Sequence, residues 1–579
     1  MLDRKNLACT IMAALIASLA GQAFAAADTA AGAGAGAVAH GVRDALQGQR
    51  LGLHPGADFR LADGQCKDCA APPQALFYFR DEVIAVPKAG LPVSGFSTTE
   101  RGRDDVQAWA ASGGQALAYP PLVWLGAPQL VEGAMAPDGA SLRLPGGALL
   151  PWQPVPKIAT NLSYFDASSR AFFGARPVRM RGSTQQLDGQ PRFVARTIWP
   201  GDYVIKAPSL RLEPLAGKNA LVDYVRAQDG GAKSAYDNRL IWERHPGAAR
   251  QWQGKPVLGI MLNGAQGDDD EAYGGHFAIA TGTMGAGGEM ADWIVNNFYA
   301  LDAYGEKGIL AAPVPMDNYL ADLNSGQAYY RPSYMLVAVL NQARTAVAYQ
   351  GGVQRIYNQY YRHDIAYDGA LNNCAGLSMD VFAALDWHIP QRGPTHALMA
   401  LAGYPYKAIS TGKLTEGRKA YEYLNEEQTR LYPAVAFDAA GQDLLQLVSG
   451  KPGRALTPFE QQLQSDVEAL ILVRIPQFPS SRAFGSAPVF SYDEFMARAP
   501  ADHADWKIVP VEPRPFPASL RDGLASAPPQ RSVLPLPVGL AGGCLLALLV
   551  GGALLARRLW RKQRADRLNR YCAAPQPRR

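Results

Sequence analysis

The sequence has no second CxxC to match Cys66-Lys67-Asp68-Cys69, no alternating D-x-D-x-D run, and no Lys-Ser/Thr after the glycine cluster Gly285-Ala286-Gly287-Gly288. These absences argue against a four-cysteine zinc site, a dedicated calcium loop and a phosphate loop, respectively. Asp268-Asp269-Asp270-Glu271 therefore reads as a solvated acidic loop and Gly285-Ala286-Gly287-Gly288 as a turn. No metal and no organic cofactor is expected. A basic face is missing as well. Nine of the 56 Lys and Arg fall in the last 23 residues, which leaves the rest of the chain slightly acidic, so nucleic acid is not an expected partner. The 58 Gly and 43 Pro form no repeat.

What remains is a long chain with a targeting pattern at each end. At 579 residues and 48% hydrophobic, it can bury sizeable cores and should hold at least two domains. Arg4 and Lys5 precede an apolar run from Leu7 to Leu19 and the A-x-A site Ala23-Phe24-Ala25, so residues 1–25 read as a secretory signal peptide. That signal contains no lipoprotein-type cysteine. Residues 26–39 form an Ala/Gly low-complexity leader. Residues 40–215 carry short strand-like runs broken by turn signals and are expected to form a β-rich domain. Residues 219–475 mix strand and helix patterns and are expected to form an α+β domain, with Tyr334 to Tyr349 and Thr457 to Val473 as helices. Residues 476–531 become a Pro-rich linker. Residues 532–556 carry no charge, long enough for a transmembrane helix, and 557–579 form a basic tail. The expectation is a single-pass protein of the inner membrane, its body in the periplasm and its C-terminus in the cytoplasm.

That topology gives the six cysteines different fates. Cys9 leaves with the signal, Cys544 lies in the span and Cys572 in the tail. Cys66, Cys69 and Cys374 share the oxidising compartment, and the simplest pairing joins Cys66 to Cys69 and leaves Cys374 free. Cys374 stands in Leu371-Asn372-Asn373-Cys374-Ala375-Gly376-Leu377-Ser378. Leu377, Val381 and Leu385 recur at helical spacing behind it, and an asparagine is placed to cap. A cysteine at a helix N-terminus meets unpaired N–H groups that favour thiolate. An inert buried cysteine is the competing assignment.

A thiol nucleophile needs a base and a group to orient that base. His276, in Gly274-Gly275-His276-Phe277-Ala278-Ile279, opens a strand, and its flanking glycines allow close approach. A hairpin folded at Gly285–Gly288 would bring Asn296 or Asn297 beside it. Asn297 is taken as the third residue, with Asn296, Glu289 and Asp292 left open. His363, His388 and His396 are rival bases. Tyr357, Tyr360, Tyr361 and Tyr367 read as packing rather than as a substrate platform.

A glycine-histidine strand followed by an Asn-Cys helix start resembles the circularly permuted branch of papain-like NlpC/P60 thiol enzymes. The longer pattern, from His276 through Asp292-Trp293-Ile294-Val295-Asn296-Asn297 and Tyr304-Gly305-Glu306-Lys307-Gly308 to Asn372-Asn373-Cys374, is similar to the periplasmic domain of Lnb-type lipoprotein N-acyltransferases. The resemblance covers Pro256 to Trp387. It implies a permuted papain-like α+β domain, Cys374 as nucleophile, His276 as base, and an amide or ester of a cell-envelope substrate, either a peptidoglycan peptide or a lipid-linked acyl group. Ala375-Gly376 replaces the Glu-His that follows the cysteine in the lecithin:retinol acyltransferase-like group. The alternative function is a catalytically silent envelope-binding or scaffold protein that keeps the fold.

Overall fold

The computed structural model describes residues 129–502, apart from short internal stretches, together with residues 74–79, 82–87, 106–107 and 123–124. The segments read as signal, leader, linker, span and tail lie outside the described residues, as do Cys66 and Cys69. Three antiparallel strands come first, β1 (Gln74–Phe79), β2 (Glu82–Pro87) and β3 (Val123–Trp124), in the order β1-β2-β3.

Residues 129–200 form a closed five-stranded barrel: β4 (Gln129–Met135), β5 (Ser141–Arg143), β6 (Leu149–Pro154), β7 (Pro177–Leu187) and β8 (Gln190–Pro200), in the order β4-β5-β6-β8-β7. Its interior is built from alternating side chains, with Val178, Met180, Phe193 and Ile198 buried. The β7–β8 hairpin turns at Asp188-Gly189, both with positive φ, as the sequence pattern demands.

A seven-stranded sheet follows: β9 (Asp237–Glu243), β10 (Pro256–Asn263), β11 (His276–Thr283), β12 (Ile294–Asn296), β13 (Pro313–Pro315), β14 (Ser333–Leu340) and β15 (Val467–Ile475). All pairings are antiparallel, in the order β13-β12-β11-β10-β14-β15-β9. The helices Arg344–Tyr361, Cys374–Ala384 and Pro433–Val448 pack against β10 and β11. One hydrophobic cluster runs from the barrel (Phe173, Met180, Phe193) through the sheet (Ile260, Leu336, Ile471) to the helices (Phe382, Phe437).

Two expected helices are strands. Ser333–Leu340 forms β14, buried at all eight positions in the middle of the sheet, and the helix starts only at Arg344. In the second, helix stops at Asp466 and Val467–Ile475 becomes β15. Each stretch is centred on an unbroken apolar run, Tyr334–Leu340 in the first and Ala469–Val473 in the second, with Val or Ile in both. Such runs suit a strand covered on both faces as well as they suit a buried helix, and the flanking sheet decides.

The expected fold class also needs correction where it includes a transmembrane helix. Among the described residues no helix is long and apolar enough to cross a membrane. The longest, Arg344–Tyr361, has 18 residues but carries Gln350, Gln354, Arg355 and Gln359. The apolar Cys374 helix has 11, a rise of about 16 Å against a hydrocarbon core of about 30 Å. The described structure is mixed α/β, a barrel and a sheet-with-helices sharing one core.

A separate compact unit contains residues 398–421. In it Gly417 lies where a Cβ would come within 2.6 Å of the Tyr404 carbonyl, and Thr411 Oγ1 donates to the Lys407 carbonyl at 2.6 Å.

Candidate active site

The site is assembled at one end of the large sheet by strand register. His276, the first residue of β11, pairs with Asn263, the last of β10, and Asn263 pairs in turn with Ser333, the first of β14. Asn263 Nδ2 donates to Ser333 Oγ at 2.7 Å, and the Tyr319 hydroxyl donates to Asn263 Oδ1. Gly275, immediately before His276, has φ +85°, and a Cβ there would lie 2.2 Å from the Asn263 carbonyl oxygen. A residue with a side chain fails there on both counts, so glycine is required for the chain to enter β11 beside β10.

His276 is buried, and its Nε2 lies 2.7 Å from Asn297 Oδ1. Asn297 Nδ2 donates to the Leu310 carbonyl at 2.8 Å, which turns the amide oxygen toward the imidazole. That oxygen can only accept, so in this assignment Nε2 carries the proton and Nδ1 keeps its lone pair. The tyrosine rings of Tyr299 and Tyr319 stand 6.0 and 6.2 Å from the imidazole. Burial, helped by the nearby Arg331 charge, brings the His276 pKa down to about 3 against the pull of the Asn297 hydrogen bond. The imidazole is neutral at physiological pH.

Of the other candidates for the orienting role, Asn296 faces Ile279 across the hairpin and hydrogen-bonds the Ile279 carbonyl and Gln350. Asp292 is committed to Arg179 and Arg181 at 2.6 and 2.5 Å. Glu289 accepts the Gly287 N–H within its own turn. Only Asn297, one residue past β12, hydrogen-bonds His276. Among the rival bases, His388 is exposed and pairs with Asp386 at 2.8 Å; His363 and His396 lie outside the described residues.

Cys374 is the first residue of the helix Cys374–Ala384, and Asn373 caps that helix by accepting the Gly376 N–H at 2.7 Å. The thiol is buried. Its Sγ receives the backbone N–H groups of Phe277 and Ala375 and the Tyr367 hydroxyl. Phe277 directly follows His276, so the helix start and the start of β11 meet at this point. Among the described residues no hydrogen bond joins imidazole to thiol, and Asn297 is the hydrogen-bond partner of His276.

The helix N-terminus does not produce a resting thiolate. Burial pushes the Cys374 thiol up, and the three donors and the Arg331 charge only partly offset it. A helix terminus contributes roughly 0.3–1 kcal/mol, less than one pKa unit, whereas full desolvation of an ionisable group moves a pKa by several units. The resting site therefore holds a neutral thiol and a neutral imidazole. The backbone N–H groups at the helix start are not free either. Cys374 N–H donates to the Tyr367 hydroxyl, Ala375 N–H to the thiol, and Gly376 N–H to Asn373.

Two residues with no assigned role in the sequence line this site. Tyr367, read as packing, holds both the N–H and the sulfur of Cys374. Arg331 is buried and lowers the pKa of His276, Cys374 and Tyr319 through its charge. Arg331 stands in a loop 55 residues after His276 and 43 before Cys374, and only the β10–β14 register brings it to them.

No family model matches the chain, and compared with curated proteins and solved structures it matches none.

Proposed function

We propose that the chain is an exported cysteine enzyme that transfers or hydrolyses an acyl group held in an amide or ester bond of a cell-envelope substrate. Cys374 is its nucleophile, His276 its base and Asn297 the residue that orients the base. The observation that carries this is the 2.7 Å contact between His276 Nε2 and Asn297 Oδ1, which leaves Nδ1 as the basic nitrogen of a residue whose neighbour, Phe277, gives its N–H to the Cys374 sulfur. The order of His276 before Cys374 along the chain resembles that of the permuted NlpC/P60 thiol enzymes, and the likeness to them belongs to this proposal.

The neutral resting pair sets the mechanism. Substrate brings the thiol from the Phe277 N–H to Nδ1, in keeping with catalytic contacts that tighten only in the complex. Sγ gives its proton to Nδ1 and bonds to the carbonyl carbon, whose oxygen becomes an oxyanion. Collapse of that adduct expels the amine or alcohol, which takes the proton back from Nδ1. The thioester on Cys374 is then resolved by water in hydrolysis or by an amine or hydroxyl in transfer. A proton-transfer base so placed contributes roughly 10²–10⁴-fold.

The absence of an imidazole–thiol hydrogen bond favours a second reading, a silent scaffold that binds envelope components. Incubation with p-nitrophenyl esters separates the two. The expected result is a burst of p-nitrophenolate with one acyl group on Cys374 by mass spectrometry, lost in Cys374→Ala and slowed at least about 100-fold in His276→Gln. No adduct on Cys374 from any ester, or equal labelling in His276→Gln, would sink the enzyme reading.

A further inference from the structure

Arg331 is 6% exposed, and its Nη1 donates to the Gly264 carbonyl at 2.9 Å. Its Nε is buried and has no hydrogen-bond partner among the described residues. Its guanidinium lies 5.9 Å from the ring of the adjacent Tyr330, and among the described residues it makes no ion pair. Other buried arginines of the chain are paired: Arg181 with Asp317, Arg196 with Asp322, Arg430 with Asp380. Burying an unpaired guanidinium costs several kcal/mol, so such a group marks a place where an anion completes the site. The position is specific. Gly264 follows Asn263, the partner of His276, and the Gly264 N–H donates to the Pro332 carbonyl at 2.9 Å, which ties Arg331 to the His276 end of the sheet.

We infer that Arg331 binds an anionic group of the substrate, a carboxylate or a phosphate, through its Nε–Nη2 edge, and thereby places the neighbouring carbonyl at Cys374. This rests on the thiol-enzyme reading and names its substrate class as anionic. With Nη1 held by Gly264, the opposite edge of the guanidinium presents two parallel N–H donors, the geometry that grips two oxygens of one anion. The backbone donors at the helix start are already occupied, so the binding energy that holds substrate at the sulfur has to come from a group such as this. A bound anion also offsets the Arg331 charge, which adds to burial in disfavouring the protonated His276, and so eases proton uptake by Nδ1 as the thiol reacts.

The test uses the full chain and reads protection of Cys374 from iodoacetamide, which requires no turnover. N-acetyl-D-alanine serves as the carboxylate probe, glycerol 1-phosphate as the phosphate probe, and N-acetyl-D-alanine amide as the neutral control. At least one anion is expected to slow alkylation saturably, by fivefold or more, while the amide does not. Which anion protects tells a peptide carboxylate from a lipid headgroup phosphate. Arg331→Gln abolishes the protection, and Arg331→Lys, which keeps the charge without the two-pronged edge, weakens it at least tenfold in apparent Kd. The proposal is overturned if neither anion protects the native protein, if the neutral amide protects equally, or if Arg331→Gln keeps the full effect. The amide control decides on the native protein alone, should the variants not fold. Ester labelling of Cys374 is unaffected by these outcomes, so the thiol-enzyme reading stands or falls separately.

Discussion

At the scale of single residues, burial dominates the chemistry of the site. Among the described residues the His276 imidazole has only Asn297 as a hydrogen-bond partner, and desolvation outweighs that contact. Its pKa near 3 in the fold lies below the ordinary value of 6.5, so the unfolded chain takes up a proton that the folded chain refuses. Stability is complete above pH 6.5 and falls as pH drops from 6.5 toward 3, at most about 1.4 kcal/mol per pH unit. Denaturant titrations at pH 7 and pH 5 are expected to show native protein losing up to about 2 kcal/mol more than His276→Gln. Equal losses would mean that His276 titrates normally and is open to water.

At the scale of elements, the Cys374 helix is held from both ends. Asn373 caps its start, and Asp380, two turns on, accepts two hydrogen bonds from Arg430 at 3.0 and 2.8 Å, with both side chains buried. The two anchors differ in weight. Loss of a cap costs about 1 kcal/mol, while loss of one member of a buried ion pair costs about 3–5 because the other charge is stranded. Asn373→Ala is expected to lower the unfolding free energy by about 1 kcal/mol and Asp380→Ala by about 3–5 kcal/mol, read from urea midpoints. A smaller effect at Asp380 than at Asn373 would show that Glu426, 2.7 Å from Arg430, carries the charge balance.

At the scale of the whole molecule, the barrel and the large sheet are joined by a buried ionic seam as well as a common core. The register of β7 and β8 shifts between Arg181 and Gly182, where a Cβ at Gly182 would come within 2.1 Å of the Val194 carbonyl. Arg181 beside this bulge bonds Asp317 and Asp292, and Arg196 on β8 bonds Asp322. Asp317 has no exposed surface, and burial raises its pKa despite the Arg181 charge. Amide exchange is expected to give β8 and β11 the same opening free energy, and Arg181→Ala to lower both by about 3–5 kcal/mol. A loss confined to β8 would mean that barrel and sheet open independently.

The sequence by itself determined the local pieces: an asparagine cap at 372 or 373, the helix that starts at Cys374, the β11 strand that starts at His276, and the turns at Asp188-Gly189 and Gly285–Gly288. Each follows from backbone preferences acting over a few residues, which need no partner to be expressed. It could not separate strand from helix at Ser333–Leu340 or Val467–Ile475, because an apolar run buried on every side lacks a period. Nor could it separate Asn297 from Asn296, since a single residue of register sends one side chain to the imidazole and the other to Gln350. Tertiary structure alone decided the ionisation of the site. The depth of burial at Cys374 and the charge of Arg331, unpaired among the described residues, both depend on which distant strands pair, and desolvation outweighs the helix-terminus effect on which the local expectation rested.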